Sequence, residues 1–218
     1  MAKKLNNALP EKVLLLMQHR RDKILASATD LLSSPDNAAF SLRKLAAAAD
    51  VTVPTIYNLV GGKTEILLAL QTRLVEDTEK GLQLLGDEHI LDIVDLIISG
   101  SIDSIATNEA YYRGAMLAMN ELRQVEGGSP EYVAFFKRVT ALPIGALRKA
   151  QKLNLMRGDI DPNLLSTQVF RQYSAALSEW MYRQINLEQF RHRALTSAYI
   201  CLLSDAGDTL RKDIIARM

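Results

Sequence analysis

The chain contains only one cysteine, Cys201, among its 218 residues. A single thiol excludes a disulfide within the chain and any metal cluster built from cysteines. Long apolar runs are missing as well, since none approaches the roughly 20 residues that span a bilayer. The run Val13–Met17 has neither the length nor the cleavage site of a secretory signal. We therefore expect a cytoplasmic protein.

The sequence also lacks the strictly alternating Val, Ile, Thr and Tyr runs that are typical of half-buried strands. Apolar residues instead recur at helical spacing along nearly the whole chain. The composition, 48% hydrophobic and 23% charged, is that of an ordinary globular protein. These patterns predict an all-α fold without a sheet.

The chain as a whole has little excess charge, since its net charge is +1. Its N-terminal and C-terminal parts, however, differ in the sign of their net charge. Residues 1–63 carry nine Lys or Arg and five Asp or Glu, a net charge of +4. The remaining residues carry 17 basic and 20 acidic side chains, a net charge of −3. This asymmetry favours a basic N-terminal domain that contacts phosphate groups.

Three short helices are predicted in this basic region. The first runs from near Pro10 to about Leu32, because proline is favoured in a first helical turn. Ser41 is a suitable N-cap for a second helix that ends near Ala49. Thr52 can cap a third helix, which Gly61 and Gly62 terminate.

Asp50 occupies the tight turn between the second and third helices, and aspartate enters the left-handed conformation at modest cost. Two short helices joined in this way form a helix-turn-helix unit, whose second helix enters the DNA major groove with its N-terminal residues at base edges. Hydroxyl, amide, methyl and ammonium groups there suit bases and phosphates. The candidate DNA-binding residues are Ser41, Thr52, Val53, Pro54, Thr55, Tyr57, Asn58 and Lys63.

Residues 41–67, SLRKLAAAADVTVPTIYNLVGGKTEIL, resemble the DNA-binding signature of the TetR (tetracycline-repressor) family of transcriptional regulators. The first-helix motif RRDKILASATDLL at 20–32 extends the resemblance to about the first third of the chain. The resemblance implies nine or more helices, a homodimer formed by the last two long helices, and an inducer pocket in the C-terminal core. Three departures stand out: Asp50 in place of the usual turn glycine, Leu59-Val60 in place of an aromatic pair, and Pro54 on the base-reading edge.

Longer helices are expected beyond residue 63, where the domain boundary is placed. Residues 1–63 form the expected helix-turn-helix domain, and residues 64–218 form the expected helical regulatory and dimerisation domain. Capping and breaking residues give the following expected helices: 64–85 capped by Thr64, 89–107, 109–125, 131–153 kinked or split at Pro143, 162–185 capped by Asp161, and 187–204.

Aromatic and sulfur-containing side chains in these helices are most simply explained as core. Together, some of them should line an apolar ligand pocket between helices. The candidates are Tyr112, Met116, Phe136, Tyr173 and Trp180. Small residues on the last two long helices could support either a dimer interface or packing within one subunit. They are Ser174, Ala175, Ser178, Ala194, Ser197, Ala198 and Cys201, together with the neighbouring Leu202.

Other motifs point to weaker alternatives. Gly61–Thr64 resembles part of a phosphate-binding loop, but the required upstream glycine and strand are missing. Ser41–Lys44 matches a Ser-x-x-Lys pattern whose companion motifs are absent, and Glu188 with His192 lacks a third metal ligand. No catalytic pair emerges, so we expect neither an enzyme, a cofactor nor a metal.

The sequence therefore predicts a dimeric, sequence-specific DNA-binding transcriptional repressor, released from a near-palindromic operator by an unknown small molecule. The alternative is a helical protein–protein interaction module with a vestigial DNA-binding head. The near-neutral total charge favours that alternative, whereas the intact set of candidate DNA-binding residues argues against it.

Overall fold

A computed structural model describes residues 11–34, 40–85, 89–126 and 130–218. Their helices are α1 (Glu11–Ser33), α2 (Leu42–Ala49), α3 (Val53–Leu59), α4 (Lys63–Leu85), α5 (Ile90–Thr107), α6 (Glu109–Glu126), α7 (Pro130–Ala141), α8 (Ile144–Lys152), α9 (Pro162–Met181), α10 (Leu187–Leu203) and α11 (Asp208–Arg217). Within these ranges the only strand-like pairing is an isolated bridge between Met156 and Ala206. The prediction of an all-α fold is confirmed.

The chain divides into two compact units. The N-terminal unit extends to Leu70 and includes Ala110–Met119, and the C-terminal unit comprises Gln71–Glu109 and Asn120–Met218. In the N-terminal unit α1, α2 and α3 pack against one another. Their shared core contains fully buried Ile24, Leu45 and Ile56, one apolar residue from each helix.

The core of the C-terminal unit is formed mainly where α9 packs along α10, with α5, α7 and α8 against these two helices. Fully buried Trp180, Phe190, Ile102 and Leu147 occupy this core. Burial of large apolar side chains of this kind is the main favourable contribution to folding.

Several predicted helix signals are confirmed. Asp161 accepts hydrogen bonds from the backbone N–H groups of Asn163 and Leu164 and caps α9, with Pro162 as the first helical residue. The expected break at Pro143 separates α7 from α8. The sequence also predicts helix breaks at the turn-forming residues Pro35–Asn37, Gly86 and Gly127–Ser129, and these lie outside the described residues.

Two boundaries differ from the expectation. Helix α4 begins at Lys63, so Thr64 lies inside its first turn rather than at the N-cap. Helix α9 ends at Met181 rather than near Ile185, because Arg183 adopts a left-handed conformation with φ of 60°. Neither difference could be predicted, since helix ends vary by one or two residues and no glycine or proline marks the end of α9.

A buried carboxylate joins two loops of the C-terminal unit. The side chain of Asp205, after α10, accepts hydrogen bonds from the backbone N–H groups of Gly158 (3.2 Å) and Asp159 (2.9 Å), which follow α8. Next to it, the Gly207 N–H donates to the Leu155 carbonyl at 2.8 Å. We call this arrangement the Asp205 clasp.

Helix α11 is fixed at its end by charged groups. The guanidinium of Arg217 donates to Asp92 and Asp95 of α5 at 2.6 Å each, and the Tyr199 hydroxyl of α10 also donates to Asp95. Burial and the neighbouring Asp95 carboxylate raise the pKa of Tyr199 to about 12. Tyr199 is therefore a neutral donor at physiological pH.

Among the described residues, no helix combines the length and the apolar character that a bilayer span requires.

Candidate nucleic-acid interface

The turn between α2 and α3 sets the geometry of the candidate site. Asp50 adopts φ of 56° and ψ of 50°, the left-handed conformation that the sequence predicted for it. The Val51 N–H donates back to the Ala46 carbonyl at 3.0 Å, which closes the end of α2 as in a Schellman-type cap. The chain therefore reverses tightly and α3 begins two residues later.

Both predicted N-caps are present. The Ser41 side chain accepts a hydrogen bond from the Lys44 N–H (3.3 Å), and the Thr52 side chain accepts one from the Thr55 N–H (3.3 Å). The hydroxyls of Thr52 and Thr55 are also 2.8 Å apart. Because they share one hydrogen bond, the other hydroxyl proton can be donated outward to an acceptor such as a phosphate oxygen.

The opposite sides of α3 have different roles. Ile56 is fully buried against α1 and α2, whereas Tyr57 is 56% exposed and Thr52, Pro54 and Asn58 are also exposed. Val53 and Thr55 are half-buried. The structure therefore places the polar and aromatic candidates from the third helix on an accessible surface, held in place by one apolar anchor.

Arg21 of α1 fixes the C-terminal end of α3. Its Nη1 donates to the Leu59 carbonyl at 2.8 Å, one of the last carbonyls of α3. A guanidinium at a helix C-terminus satisfies a carbonyl that has no partner within the helix. Sequence reasoning did not find this contact, because the two residues are 38 positions apart and no local pattern connects them.

The connection from α3 to α4 requires glycine. Gly61 has φ of 115°, and a Cβ at this position would lie 2.7 Å from the Cβ of Glu65. The following Lys63 begins α4 and places its ammonium 5.8 Å from the centre of the buried Phe40 ring. The aromatic contact orients the Lys63 side chain beside the N-terminal end of α4, where N–H groups favour anions.

Three of the candidate pocket residues belong to one aromatic row of the C-terminal unit. Phe136 packs edge-on against Phe170 (5.0 Å between ring centres), which neighbours Tyr173 at 6.4 Å. Phe190 connects Tyr173 (5.4 Å) to Trp180 (6.1 Å). Trp180 has no accessible surface and is packed as core, whereas Phe136, Phe170 and Tyr173 are half-buried.

Tyr173 contributes a polar group to this row. Its hydroxyl lies 3.0 Å from the Ser101 hydroxyl, which donates to the Ile98 carbonyl at 2.7 Å. Burial raises the pKa of Tyr173 to about 12, so the hydroxyl remains protonated at neutral pH. The two other candidates, Tyr112 and Met116, are half-buried on α6 in the N-terminal unit, and the Tyr112 ring is 4.8 Å from that of Tyr111.

Comparison with known proteins shows where this architecture occurs. No protein-family model and no curated protein matches the chain, but many solved structures of TetR-family transcriptional regulators resemble it. SmeT, the repressor of the Stenotrophomonas maltophilia multidrug efflux pump SmeDEF, is 18% identical over 89% of this chain and 94% of SmeT, with a TM-score of 0.66. A TetR transcription regulator from Haloarcula marismortui is 11% identical over 87% of this chain and all of that protein, with a TM-score of 0.67.

SmeT has also been solved in complex with triclosan, and that structure is 21% identical over 88% of this chain and 94% of SmeT, with a TM-score of 0.66. At these identities the similarity concerns the fold. The chain therefore has the all-helical fold of TetR-family regulators over most of its length, as its N-terminal motifs led us to expect.

Proposed function

We propose that the chain is a sequence-specific DNA-binding transcriptional regulator, a homodimer that a small molecule releases from its operator in the cytoplasm. The main support is the surface of α3, where Thr52, Pro54, Tyr57 and Asn58 are exposed around the buried anchor Ile56. In this proposal residues 1–63 form the DNA-binding domain and residues 64–218 regulate it. Two copies would present their α3 helices about 34–36 Å apart to successive major grooves.

Selection from a random duplex library with the purified protein tests this function. The expected result is an enriched near-palindromic motif, bound with an affinity that falls steeply as salt is raised. Weak retention without an enriched motif, at every salt concentration and in repeated selections, would contradict sequence-specific binding. It would support the interaction-module alternative.

Lys63 is proposed to contact a phosphate, and Lys63→Ala should reveal this through salt dependence. A contact to the backbone carries no sequence information, so affinity should fall nearly equally for the selected operator and for unrelated DNA. The slope of log K against log salt should decrease by about one. The exposed Lys80 on α4 provides a matched Lys→Ala control that leaves the slope unchanged. A loss confined to the operator would assign Lys63 to base reading instead.

Thr55 is proposed to contribute both to the affinity for DNA and to the discrimination between the operator and unrelated DNA. Thr55→Ala removes the hydroxyl that bonds to Thr52 and the methyl group beside it. We expect a loss of about 0.5–1.5 kcal/mol of binding free energy, the usual value of one net hydrogen bond, with a larger loss for the operator than for unrelated DNA. Thr55→Ser, which keeps the hydroxyl, should retain most of the affinity. Equal losses for both variants would show that the hydroxyl is not used.

The regulatory ligand is proposed to bind in the helical C-terminal part of the chain. The half-buried aromatic groups Phe136 and Tyr173, together with the protonated Tyr173 hydroxyl, suit a largely apolar ligand that carries a hydrogen-bonding group. The SmeT–triclosan complex supports this assignment by similarity of fold. Tyr112 and Met116 belong to the N-terminal unit and Trp180 is packed as core, so these three residues stay predictions from the sequence and are not part of this proposed site. If the protein has two conformations that differ in DNA affinity, a ligand that binds one of them more tightly would change DNA binding. The change cannot exceed the ratio of the ligand's affinities for the two conformations.

Dimerisation is proposed to use the surfaces of α9 and α10 that remain accessible in one chain. Three of the positions predicted for close helix packing, Ala194, Ala198 and Leu202, are buried within the subunit and therefore support its own core. On α10 the remaining accessible surface combines small residues with the large apolar side chain of Ile200, which is 55% exposed. The accessible small residues of α9 and α10 are Ser174, Ala175, Ser178, Ser197 and Cys201.

A further inference from the structure

The N-terminal half of α1 is an exposed helix with apolar side chains. Every residue from 11 to 20 is exposed, and the first buried residue of α1 is Ile24. The run Val13–Met17 nevertheless consists of five large apolar side chains, between 36% and 65% exposed. A contiguous apolar surface of this kind marks an interaction site more often than a chance arrangement.

This part of α1 forms one wall of a groove of about 420 Å³, and Asn58 and Leu59 at the end of α3 form the other. The α1 wall has an acid at one end, a base at the other, and mainly apolar groups between them. In chain order its residues are Glu11, Leu14, Leu15, Met17, Gln18 and Arg21.

We propose that this wall is an interface between two copies of the chain, in which α1 packs antiparallel against α1 of the second copy. The spacing of the residues determines the register. A two-fold axis at the level of residue 16 places Glu11 opposite Arg21 of the second copy, and Arg21 opposite its Glu11. The same axis places Leu14 opposite Gln18 of the second copy, on the helix face that Leu15 shares.

Charge complementarity favours a second copy over other occupants. Glu11 and Arg21 are ten residues apart, about 15 Å along a helix, so they cannot neutralise each other within one chain. The antiparallel copy satisfies both charges at once, because every contact in a two-fold interface occurs twice. The bond to the Leu59 carbonyl occupies one N–H of the Arg21 guanidinium, and a guanidinium has five to offer.

The contact is small, so it belongs to the class of weak, reversible interfaces. Its strength would become significant when two copies are held close together, because tethering raises the effective concentration to the millimolar range. Neighbouring operators provide such tethering, and the wall lies next to Asn58 on α3. Cooperative occupation of adjacent operators is the consequence, and this last step rests on the proposed function.

Sedimentation of the full chain without DNA tests the interface independently of that function. All chains in this comparison carry Ile200→Asp, which disrupts the proposed dimer surface on α10, and they are studied with and without a substitution in α1. At concentrations up to about 1 mM, the α1 contact then appears as a separate association step. Leu15→Glu, at the most exposed position of the run, should weaken this step at least tenfold. Leu153→Glu is the matched control, since Leu153 is 58% exposed at the end of α8 and Leu15 is 65% exposed.

Charge reversal tests the register. Glu11→Arg should weaken the association by creating like-charge pairs, and the double variant Glu11→Arg with Arg21→Glu should restore it. A merely structural role of either residue would make the double variant worse than the single one. The proposal is overturned by a double variant that is not restored, by equal effects of Leu15→Glu and Leu153→Glu, or by no association step at all.

Discussion

Replacing Asp205 with alanine is expected to lower the free energy of unfolding of the C-terminal unit by about 3 kcal/mol. The Asp205 side chain is fully buried, and its two carboxylate oxygens accept from the N–H groups of Gly158 and Asp159. Alanine would remove the charged acceptor of both N–H groups, which belong to the exposed residues Gly158 and Asp159. A hydrogen bond to a charged acceptor contributes about 1.5–3 kcal/mol, and because water can reach the two freed donors we expect the lower end of this range for each bond.

Urea unfolding followed by tryptophan fluorescence measures this effect. The chain has one tryptophan, Trp180, which is fully buried in the C-terminal unit and therefore reports on that unit. Asp205→Asn keeps one acceptor oxygen and should show an intermediate loss. Asp208→Ala, at an exposed position in the first turn of α11, should cost less than about 1 kcal/mol. Equal midpoints for Asp205→Ala and Asp208→Ala would rule out the clasp as a major source of stability.

Local signals explain why much of the fold could be predicted from the sequence. The caps formed by Ser41, Thr52 and Asp161 depend on hydrogen bonds to residues two or three positions away. The turn at Asp50 and the break at Pro143 likewise depend on the backbone preferences of one residue. Because these features are contained within a few neighbours, residue type and spacing are sufficient to predict them.

Contacts between distant segments could not be predicted in this way. The Asp205 side chain meets residues 46 and 47 positions away, and Arg21 meets Leu59 across 38 positions. Nothing in the sequence around Asp205 or Arg21 indicates which loop or helix end will approach them. The aromatic row could not be predicted either, because Phe136 and Phe190 are brought into one row by the packing of α7, α9 and α10.

The small residues of α9 and α10 show a different limit. Ala194 and Ala198 support close packing between α10 and its own subunit, yet Ser197 and Cys201 occupy accessible positions on the same helix. A small side chain allows close approach of any helix, whether from the same subunit or from another. Residue type therefore identified α9 and α10 as helices that can pack closely, whereas only the structure shows which face of each helix remains accessible.

Ile200→Asp is expected to convert the proposed homodimer into a monomer at micromolar concentration. Ile200 is 55% exposed on α10 beside the small residues Ser197 and Cys201. If this surface is covered by a second copy, the substitution replaces a large apolar contact with a carboxylate that the interface must desolvate. Such a change at the centre of an interface costs about 2–4 kcal/mol, equivalent to a 30- to 1,000-fold rise in the dimer Kd.

Loss of operator binding should accompany loss of the dimer, because each monomer can contact only one half-site. Sedimentation velocity measures the first effect, and titration of the selected operator measures the second. Ile215→Asp is the matched control, since Ile215 is 59% exposed on α11. A dimer that survives Ile200→Asp but not Ile215→Asp would move the interface from α10 to α11. If Ile200→Asp gives a folded monomer that still binds the full operator with wild-type affinity, DNA recognition by this chain does not depend on dimerisation through α9 and α10.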